Sequence, residues 1–339
     1  MNFYSSIYFL AVIPSLMLLL GTSSKLYKKA FSGLISILII PLYLLGMYRT
    51  SGVDIDNYKR FYNSDSNDIF DPGFSFLVNL ANSISLSFEV FLLFLGFINI
   101  LLYKRISKYF SVHFGILLII LILHIFIVRD FAQFRVGLAI ATVIYGYTRP
   151  GIIKYLFYII GLSFHITSIV LVLTFIYFDF FLKNNPSYVK LIIPFSIIIL
   201  SGVFIGYLAA IDPRIDLYLN WDREGYGAPA TDFKQPLFII FIICIHIYFQ
   251  RKTIYEIDLF TFCYFSALLI FISFSDYAIF SYRLSNVAIS LYPITIASIM
   301  NSSRPTLNKA FVIFVFIMLI SLRENSFEII NSIEPGTLQ

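Results

Sequence analysis

Two aspartates separated by one residue, Asp54 and Asp56, stand in the charged stretch RTSGVDIDNYKRFY, which begins at Arg49 after a long uncharged run. Paired carboxylates suit a hard divalent cation, and a D-x-D pair holds such a metal against a nucleotide diphosphate in many sugar transferases. A solvated loop with tyrosines at the membrane interface is the alternative interpretation. The chain has no other set of residues with metal-ligand spacing, so we expect neither a required metal nor a bound cofactor.

A second group of polar side chains interrupts the apolar stretch IVRDFAQFRVGLAIA, residues 127–141. Arg129, Gln133 and Gly137 share a helical face through their four-residue spacing. Arg135 points elsewhere and lies about a turn and a half deeper. A charge at the centre of a membrane helix costs about 3 kcal/mol on insertion scales, so Arg135 is predicted to face a wet cavity or a counter-ion. For Arg129, an interfacial snorkelling side chain is the alternative.

Two further segments carry side chains that are candidates for binding a ligand. In SDYAIFSYRLSN, the spacing of Asp276 and Arg283 predicts that they share a helix face, where an ion pair is the alternative to a binding site. The segment 212–234 contains the single tryptophan, Trp221, among tyrosines, arginines and carboxylates. This mixture suits a sugar, because aromatic rings pack on its CH surface, and it equally suits an aromatic belt at the membrane surface.

The elements that position these residues are predicted to be membrane helices. Of 339 residues, 59% are hydrophobic and 13% are charged, whereas roughly a quarter are charged in an average globular domain. Mean hydropathy is +0.86. A soluble fold of this length is therefore excluded, and we predict an all-α polytopic membrane protein of about 10–12 transmembrane helices. Residues 1–339 are expected to form a single integral membrane domain.

The connecting segments differ in charge. Those at 25–29, 103–108, 148–154, 250–252 and 303–309 are basic, whereas 49–71 and 212–232 are mixed and acid-rich. The positive-inside rule places the basic set in the cytoplasm, which also explains the net charge of +5 without nucleic-acid binding. Outer-face loops are predicted at 49–86 and 212–234. Asp71 and Pro72 are predicted as N-cap and first residue of a short outer helix that reaches residue 84.

One apolar run, 154–178, does not fit a single crossing of the membrane. An even number of crossings must separate the basic segments 148–154 and 250–252, yet three apolar runs lie between them. Gly161, Ser163, His165 and Ser168 occupy the middle of the first run, so we predict a broken or re-entrant segment there, with His165 at the break. Irregular backbone at membrane depth occurs only against protein or a wet cavity, which makes His165 a candidate functional residue.

Taken in order, these motifs resemble the EpsG/Wzy-type family of bacterial polysaccharide polymerases, which act on O-antigens and exopolysaccharides. The family usually has Glu before Pro-Gly-Phe, where this chain has Asp71, and often Asn or Gln where it has Val136. The residues that carry the resemblance are Arg49, Gly52, Asp54 and Tyr58, then Asp71-Pro72-Gly73-Phe74, then Arg135, Gly137, Leu138 and Ala139, then Phe164, His165 and Ser168, and finally Tyr282-Arg283.

The resemblance implies a membrane glycosyltransferase that polymerises undecaprenyl-pyrophosphate-linked oligosaccharide repeat units at the outer face of the bacterial inner membrane. The growing glycan is transferred to a hydroxyl of the next unit, so the expected partners are a lipid-linked donor, a lipid-linked acceptor and membrane lipid. A chain-length regulator protein is a further candidate partner, and no nucleic acid is expected. The reaction requires cations for the leaving pyrophosphate and a base for the acceptor hydroxyl.

The candidate site residues follow from these requirements. Asp54 is the first candidate for the general base and His165 the second, while Arg135 is expected to bind the pyrophosphate through its planar guanidinium. The candidate substrate-binding residues are Arg49, Asp56, Tyr58, Asp71, Arg129, Gln133, Trp221 and Arg283.

Three other functions are compatible with a membrane protein of this composition. A lipid-linked oligosaccharide flippase would also bind pyrophosphate through arginines, but it should show a repeat of helices and cations in both halves, which this sequence lacks. A membrane acyltransferase would use a histidine base, and only His165 is placed to serve. A non-catalytic partner in a glycan-assembly complex is the third alternative.

Overall fold

The computed structural model describes residues 40–41, 44, 55–63, 71–121, 134–184, 188–209, 234–250 and 257–302. Within these ranges every regular element is helical. Phe88–Tyr109 and Phe280–Asn301 are long and apolar enough to cross a membrane, and shorter apolar helices accompany them. The predicted all-α polytopic membrane class is confirmed. The sequence has further apolar runs at 3–21, 31–48 and 308–322, and these lie wholly or mostly outside the described residues.

The chain divides into two compact units, Met1–Ser168 with Pro293–Gln339, and Ile169–Tyr292. The first unit contains six helices in its described N-terminal part: α1 (Ile55–Tyr62), α2 (Pro72–Ser83), α3 (Phe88–Tyr109), α4 (Phe114–Leu121), α5 (Phe134–Tyr147) and α6 (Ile152–Phe164). The second unit contains α7 (Ile169–Tyr177), α8 (Tyr188–Ala209), α9 (Lys234–Gln250), α10 (Leu259–Ser273) and α11 (Ala278–Ala288). Except for its first residue, α12 (Tyr292–Asn301) returns to the first unit.

The short helix predicted after residue 71 is confirmed as α2, with Asp71 at the N-cap position and Pro72 in the first turn. It ends where Ser85 adopts a left-handed φ of 54° and Leu86 N donates to Ala81 O at 3.0 Å, the hydrogen bond of a Schellman motif. Ser87 then caps α3 by accepting from Val90 N at 3.3 Å. The chain therefore stops one helix and starts the next within a few residues.

Helices α5 and α6 form a closely packed antiparallel pair, joined by a turn in which Gly151 has φ 61°. Glycines allow this approach, as small residues do in many membrane helix pairs. A Cβ on Gly146 would lie 2.8 Å from Phe157 Cβ, and a Cβ on Gly161 would lie 3.1 Å from the carbonyl oxygen of Ala139. The two helices consequently carry Arg135 and His165 at the same end of the pair.

The first unit has two chemically different ends. Phe74 and Phe91 have ring centroids 6.0 Å apart and join the starts of α2 and α3, whereas Tyr109 and Tyr147, 6.4 Å apart, join the C-terminal ends of α3 and α5. Asn301 Nδ2 donates to Ser111 O at 3.2 Å, which brings the end of α12 to the same place. The basic segments 103–108 and 148–154 therefore share one end, called here the basic end.

The predicted break in the run 154–178 is confirmed. Helix α6 ends at Phe164, and His165 is extended, with φ −163° and ψ 122°. A single 3₁₀ turn, Ile166–Ser168, then precedes α7. The structure thus has two short helices here, and the break falls on the histidine.

Two details concern the segment 276–301. Its apolar part, Phe280–Asn301, is long enough to cross a membrane but is interrupted by a short turn, because α11 ends at Ala288 and Ser290 Oγ donates back to Val287 O at 2.7 Å, a local bond that competes with the helix. Asp276 precedes α11 instead of lying on it, so its spacing from Arg283 does not place the two on one helix face. The prediction of a shared face is therefore wrong.

Buried polar contacts also hold the second unit together. Asp258 caps α10 by accepting from Thr261 N at 2.7 Å, and the same carboxylate lies 3.1 Å from Nε2 of the buried His246. Gln235 Nε2 donates to Ser285 Oγ at 3.0 Å and to Asn286 Oδ1 at 3.1 Å. These contacts tie the two ends of α9 to α10 and α11.

Candidate functional site

One carboxylate oxygen contacts the two side chains best suited to act as a base and as an anion-binding cation. Asp71 Oδ2 accepts from Arg135 Nη1 at 3.2 Å and lies 3.0 Å from His165 Nδ1. The three side chains come from the start of α2, the first turn of α5 and the break after α6. Together with Tyr58 they are called here the Asp71 cluster.

The Asp71 side chain does not cap α2, although Asp71 occupies the N-cap position. At the N-cap position an aspartate normally accepts a hydrogen bond from the first turn, which stabilises the helix by about 1 kcal/mol. In α2 the side chain makes no such bond, and Phe74 N and Ser75 N donate to the Asp71 backbone carbonyl, each at 3.1 Å. The carboxylate is thereby committed to Arg135 and His165.

An aromatic cage fixes the Arg135 guanidinium. Its Nε donates to Tyr58 Oη at 3.0 Å, and its Cζ lies 5.2 Å from the Tyr58 ring centroid and 5.7 Å from that of Phe74, within cation–π range. Tyr58 also packs on Phe134, with centroids 4.1 Å apart. Because Tyr58 and Phe74 are only 5% and 1% exposed, they hold the cation from its buried side.

The His165 ring is oriented by its contact with Asp71. A neutral imidazole has one N–H, and a carboxylate can only accept, so the proton is assigned to Nδ1. The lone pair of Nε2 is then available as a base, which is the arrangement that a carboxylate imposes on a catalytic histidine. The extended backbone of His165 turns the residue out of the helix.

The cluster is sheltered but still open to a ligand. The side chains of His165, Arg135 and Asp71 retain 14%, 17% and 19% exposure. Partial burial strengthens their mutual electrostatic interactions relative to those of a fully solvated pair. Part of each side chain is therefore accessible to a substrate group.

Close packing of α2 on α6 holds the two halves of the cluster together. A Cβ built on Gly73 would lie 2.9 Å from both the carbonyl carbon and the Cβ of Ser163, and closer still to Ser163 Oγ. No side chain fits at residue 73 unless α2 moves away from α6. The glycine thus sets the distance between Asp71, two residues before it, and His165, two residues after Ser163.

We expect Gly73→Ala to destabilise the protein by about 1–3 kcal/mol, the usual range for overpacking. The measurement is thermal unfolding of the purified protein in detergent. Adding Ser163→Gly removes the serine Cβ and Oγ and should restore part of the lost stability, although the backbone carbon stays close. Equal melting temperatures for Gly73→Ala and the unaltered protein would show that the helices tolerate the extra methyl group.

The structure brings together four of the predicted site residues. The cluster contains Tyr58, Asp71, Arg135 and His165. Arg283 is half-buried on α11 of the second unit, and Asp56 lies on α1 without a described side chain. The predicted residues outside the described ranges are Arg49, Asp54, Arg129, Gln133 and Trp221. Their roles stay predictions.

Sequence reasoning missed two features of the site. It identified Phe74 only as part of a motif, whereas the structure places its ring beneath Arg135. It also gave no sign that Asp71 contacts His165, because the two are 94 positions apart. The small residues at 73 and 163 were the available signal for a close helix contact.

Among the described residues, no group of three or more His, Cys, Asp or Glu side chains is arranged to hold a metal ion. This statement does not cover the D-x-D pair, because Asp54 and the side chain of Asp56 are not among the described parts of the structure. The Asp71 cluster itself offers one carboxylate and one imidazole beside a guanidinium. An adjacent cation disfavours binding of a second one.

Comparison with known proteins places the chain in a family. It is 25% identical, over 297 residues, to the amylovoran biosynthesis protein AmsC of Erwinia amylovora, covering 78% of this chain and 77% of that protein. No solved structure matches the chain. The model of the EpsG family matches residues 4–329, which is nearly the whole sequence. The chain therefore belongs to the EpsG family.

Proposed function

We propose that this protein polymerises lipid-linked oligosaccharide repeat units, transferring a growing glycan from undecaprenyl pyrophosphate to a hydroxyl of the next lipid-linked unit. Membership of the EpsG family and a relative named for amylovoran biosynthesis support a role in polysaccharide biosynthesis. The observation that carries the finer proposal is the shared oxygen Asp71 Oδ2, which sets a base and a cation side by side.

In this reaction His165 is the general base. The acceptor hydroxyl gives its proton to Nε2 as its oxygen attacks the anomeric carbon of the donor glycan. The bond from that carbon to the pyrophosphate oxygen breaks, and undecaprenyl pyrophosphate leaves with the bonding electrons. Asp71 keeps the ring in the required tautomer and stabilises the imidazolium until its proton passes to solvent.

Arg135 supplies the cation for the leaving pyrophosphate. Its plane is fixed in advance by Tyr58 and Asp71, so no reorganisation is needed as charge develops. Asp71, Arg135 and neutral His165 sum to zero charge, and proton uptake by His165 changes the sum to +1. The site becomes cationic at the step in which the leaving group becomes more negative.

We place this site on the outer face of the bacterial inner membrane. The Asp71 cluster lies at the end of the first unit opposite the basic end, because Arg135 is in the first turn of α5 and Tyr147 closes it. The positive-inside rule assigns basic segments to the cytoplasm. Lipid-linked donor and acceptor units would therefore meet the cluster from outside.

The remaining predicted residues complete the proposal. Asp54, the first candidate for the base from the sequence alone, lies outside the described residues and is kept as the alternative to His165. The substrate contacts proposed beyond the cluster are Arg49, Asp56, Arg129, Gln133, Trp221 and Arg283. A chain-length regulator protein is a proposed partner. None of these assignments is needed for the chemistry of the Asp71 cluster.

Deletion of the gene tests the proposed activity. A strain without the protein should transfer single repeat units to the final acceptor and make no long polymer, and a plasmid copy should restore polymer length. Complete absence of glycan, with repeat units accumulating on the cytoplasmic side, would instead indicate a flippase. Unchanged polymer length would contradict the proposal.

Two His165 variants distinguish the role of Nε2 as a base from the hydrogen bond between the ring and Asp71. Asparagine can still donate a hydrogen bond to Asp71, but it has no counterpart of Nε2, so His165→Asn should lose chain extension by at least about a hundredfold while its membrane abundance stays normal. His165→Ala should lose both the base and the contact. Polymer length and membrane abundance are measured for both variants, and long polymer from either one would exclude His165 as the base.

The proposed reaction needs no divalent metal, because Arg135 and protonated His165 supply the cations. We expect the purified protein to extend lipid-linked units at the same rate with and without a strong chelator. Magnesium or manganese added after chelation should change nothing. Loss of polymer in chelator, followed by recovery with either metal, would return the D-x-D pair to consideration as a metal site.

A further inference from the structure

The basic end carries several positive charges and no described acidic side chain of the first unit. Its cationic side chains lie on α3, on α6 and in the turn between α5 and α6. The acidic side chains described in the first unit are Asp71 and Glu89, and both lie at the opposite end. The cations concerned are Lys104, Arg105, Lys108, Arg149 and Lys154, the first three exposed and the other two half-buried.

Aromatic rings connect these cations into one surface. Lys154 Nζ lies 5.4 Å from the Tyr147 ring centroid, and Tyr147 packs edge-on against Tyr109, the last residue of α3. Arg149 Cζ lies 4.3 Å from the Tyr145 ring centroid. The ends of α3, α5 and α6 therefore contribute to a single cationic surface with tyrosines between the charges, as is typical of the membrane interface.

Aliphatic side chains lie directly beside the cations. Ile152, Ile153 and Leu156 on the first turns of α6 are 75%, 47% and 52% exposed, and Leu101 on α3 is 46% exposed. An acidic soluble partner would contact the cations alone. A phospholipid satisfies both surfaces, with its phosphate on the cations and its acyl chains on the aliphatic residues.

Arg149 has an unfilled hydrogen-bonding position at this surface. Its Nη2 donates to Tyr145 Oη, while its Nε is buried and finds no acceptor among the described residues. An unpaired buried donor is costly. A phosphate oxygen that draws the guanidinium slightly outward gives Nε an acceptor and allows the bidentate contact that arginine makes with phosphates.

We infer that the basic end binds the headgroup of an anionic phospholipid, held by Arg149 and Lys154 with the lysines of α3 around it. Basic surfaces between membrane helices recognise lipid headgroups in this way. The site is distinct from the Asp71 cluster, which lies at the other end of α5. The inference rests on the membrane fold and does not depend on the proposed polymerase activity.

The test compares lipids that differ only in headgroup charge. The full chain is purified in neutral detergent, and binding of phosphatidylglycerol and phosphatidylcholine with identical acyl chains is measured by native mass spectrometry. We expect phosphatidylglycerol to be retained in preference. The double variant Arg149→Gln, Lys154→Gln should bind it roughly ten- to thirtyfold more weakly, since each cation near an anionic headgroup contributes about a tenfold or smaller effect.

A matched control removes the same charge from the other end. Lys59→Gln, Arg60→Gln also deletes two cations from the first unit, and it should leave lipid retention unchanged. The charge-preserving pair Arg149→Lys, Lys154→Arg should keep most of the binding and shows that the surface tolerates substitution. Equal retention of the two lipids, or equal loss in both double glutamine variants, overturns the inference. Displacement of the lipid by inorganic phosphate alone also overturns it, because the acyl chains would then be irrelevant.

Discussion

Asp71→Asn is expected to reduce polymerisation by about 10²–10⁴-fold, the range over which a positioned base contributes to catalysis. The amide has nearly the same shape as the carboxylate, so α2 should stay in place. It can, however, donate to His165 Nδ1, which moves the imidazole proton to Nε2 and removes the lone pair that the acceptor hydroxyl needs. Polymer length and membrane abundance of the variant are measured together.

Two control variants accompany this prediction. Asp71→Glu keeps the charge and introduces the residue that the resembling family usually has, so partial polymerisation should survive. Glu89→Gln removes a carboxylate of similar exposure that pairs with Lys59 at 3.6 Å, away from the cluster, and should leave polymer length unchanged. If Asp71→Asn made normal polymer, the shared oxygen would have no part in the reaction. If it only lowered abundance, its role would be structural.

Two substitutions of Arg135 and one of its partner Tyr58 should give a graded loss of function. Arg135→Ala is expected to be inactive, because it removes the cation proposed to bind the leaving pyrophosphate. Arg135→Lys keeps a charge but cannot contact Tyr58 and Asp71 through a planar fork, so we expect clear impairment with normal insertion. Tyr58→Phe removes only the acceptor at Nε and should cost roughly ten- to hundredfold, close to the value of one hydrogen bond to a charged group.

Polymer length distribution, beside membrane abundance, distinguishes this series from a structural ion pair. If Arg135 served only to neutralise Asp71, alanine would lower abundance and lysine would restore both abundance and length. Arg60→Ala, on an exposed position of α1, is the control for loss of a cation in the same unit. Full-length polymer from Arg135→Ala would falsify the assignment of pyrophosphate binding to this residue.

The break at His165 shows how far topology can be argued from charge. The count of crossings between the basic segments required one apolar run to be irregular, and the small and polar residues around His165 located the irregularity. Geometry then added what the count could not give, namely the extended backbone of His165 and the hydrogen bond that its ring makes with Asp71. Counting membrane crossings uses only the order of the segments along the chain, so the count cannot show which side chains are in contact.

Asp71 illustrates the opposite case. Its position before Pro72 predicted a helix start, and that prediction is confirmed, but the capping role that normally accompanies it is absent. Local sequence favours the cap, whereas tertiary structure brings a guanidinium and an imidazole within reach of the same oxygen. The guanidinium is a charged donor, whereas the backbone N–H of a cap is neutral, so the tertiary partners determine where the carboxylate points.

The sequence by itself determined the membrane class, the helical architecture, the start of α2 and the break after α6, because these depend on hydrophobicity, charge asymmetry and backbone preference, which act locally. It also singled out Tyr58, Asp71, Arg135 and His165 one at a time. Only the tertiary structure decided that they share one site, through the approach of α2 to α6 at Gly73 and Ser163. Asp71 is 64 positions from Arg135 and 94 from His165 in the sequence. Such contacts arise from helix packing, and no local pattern encodes them.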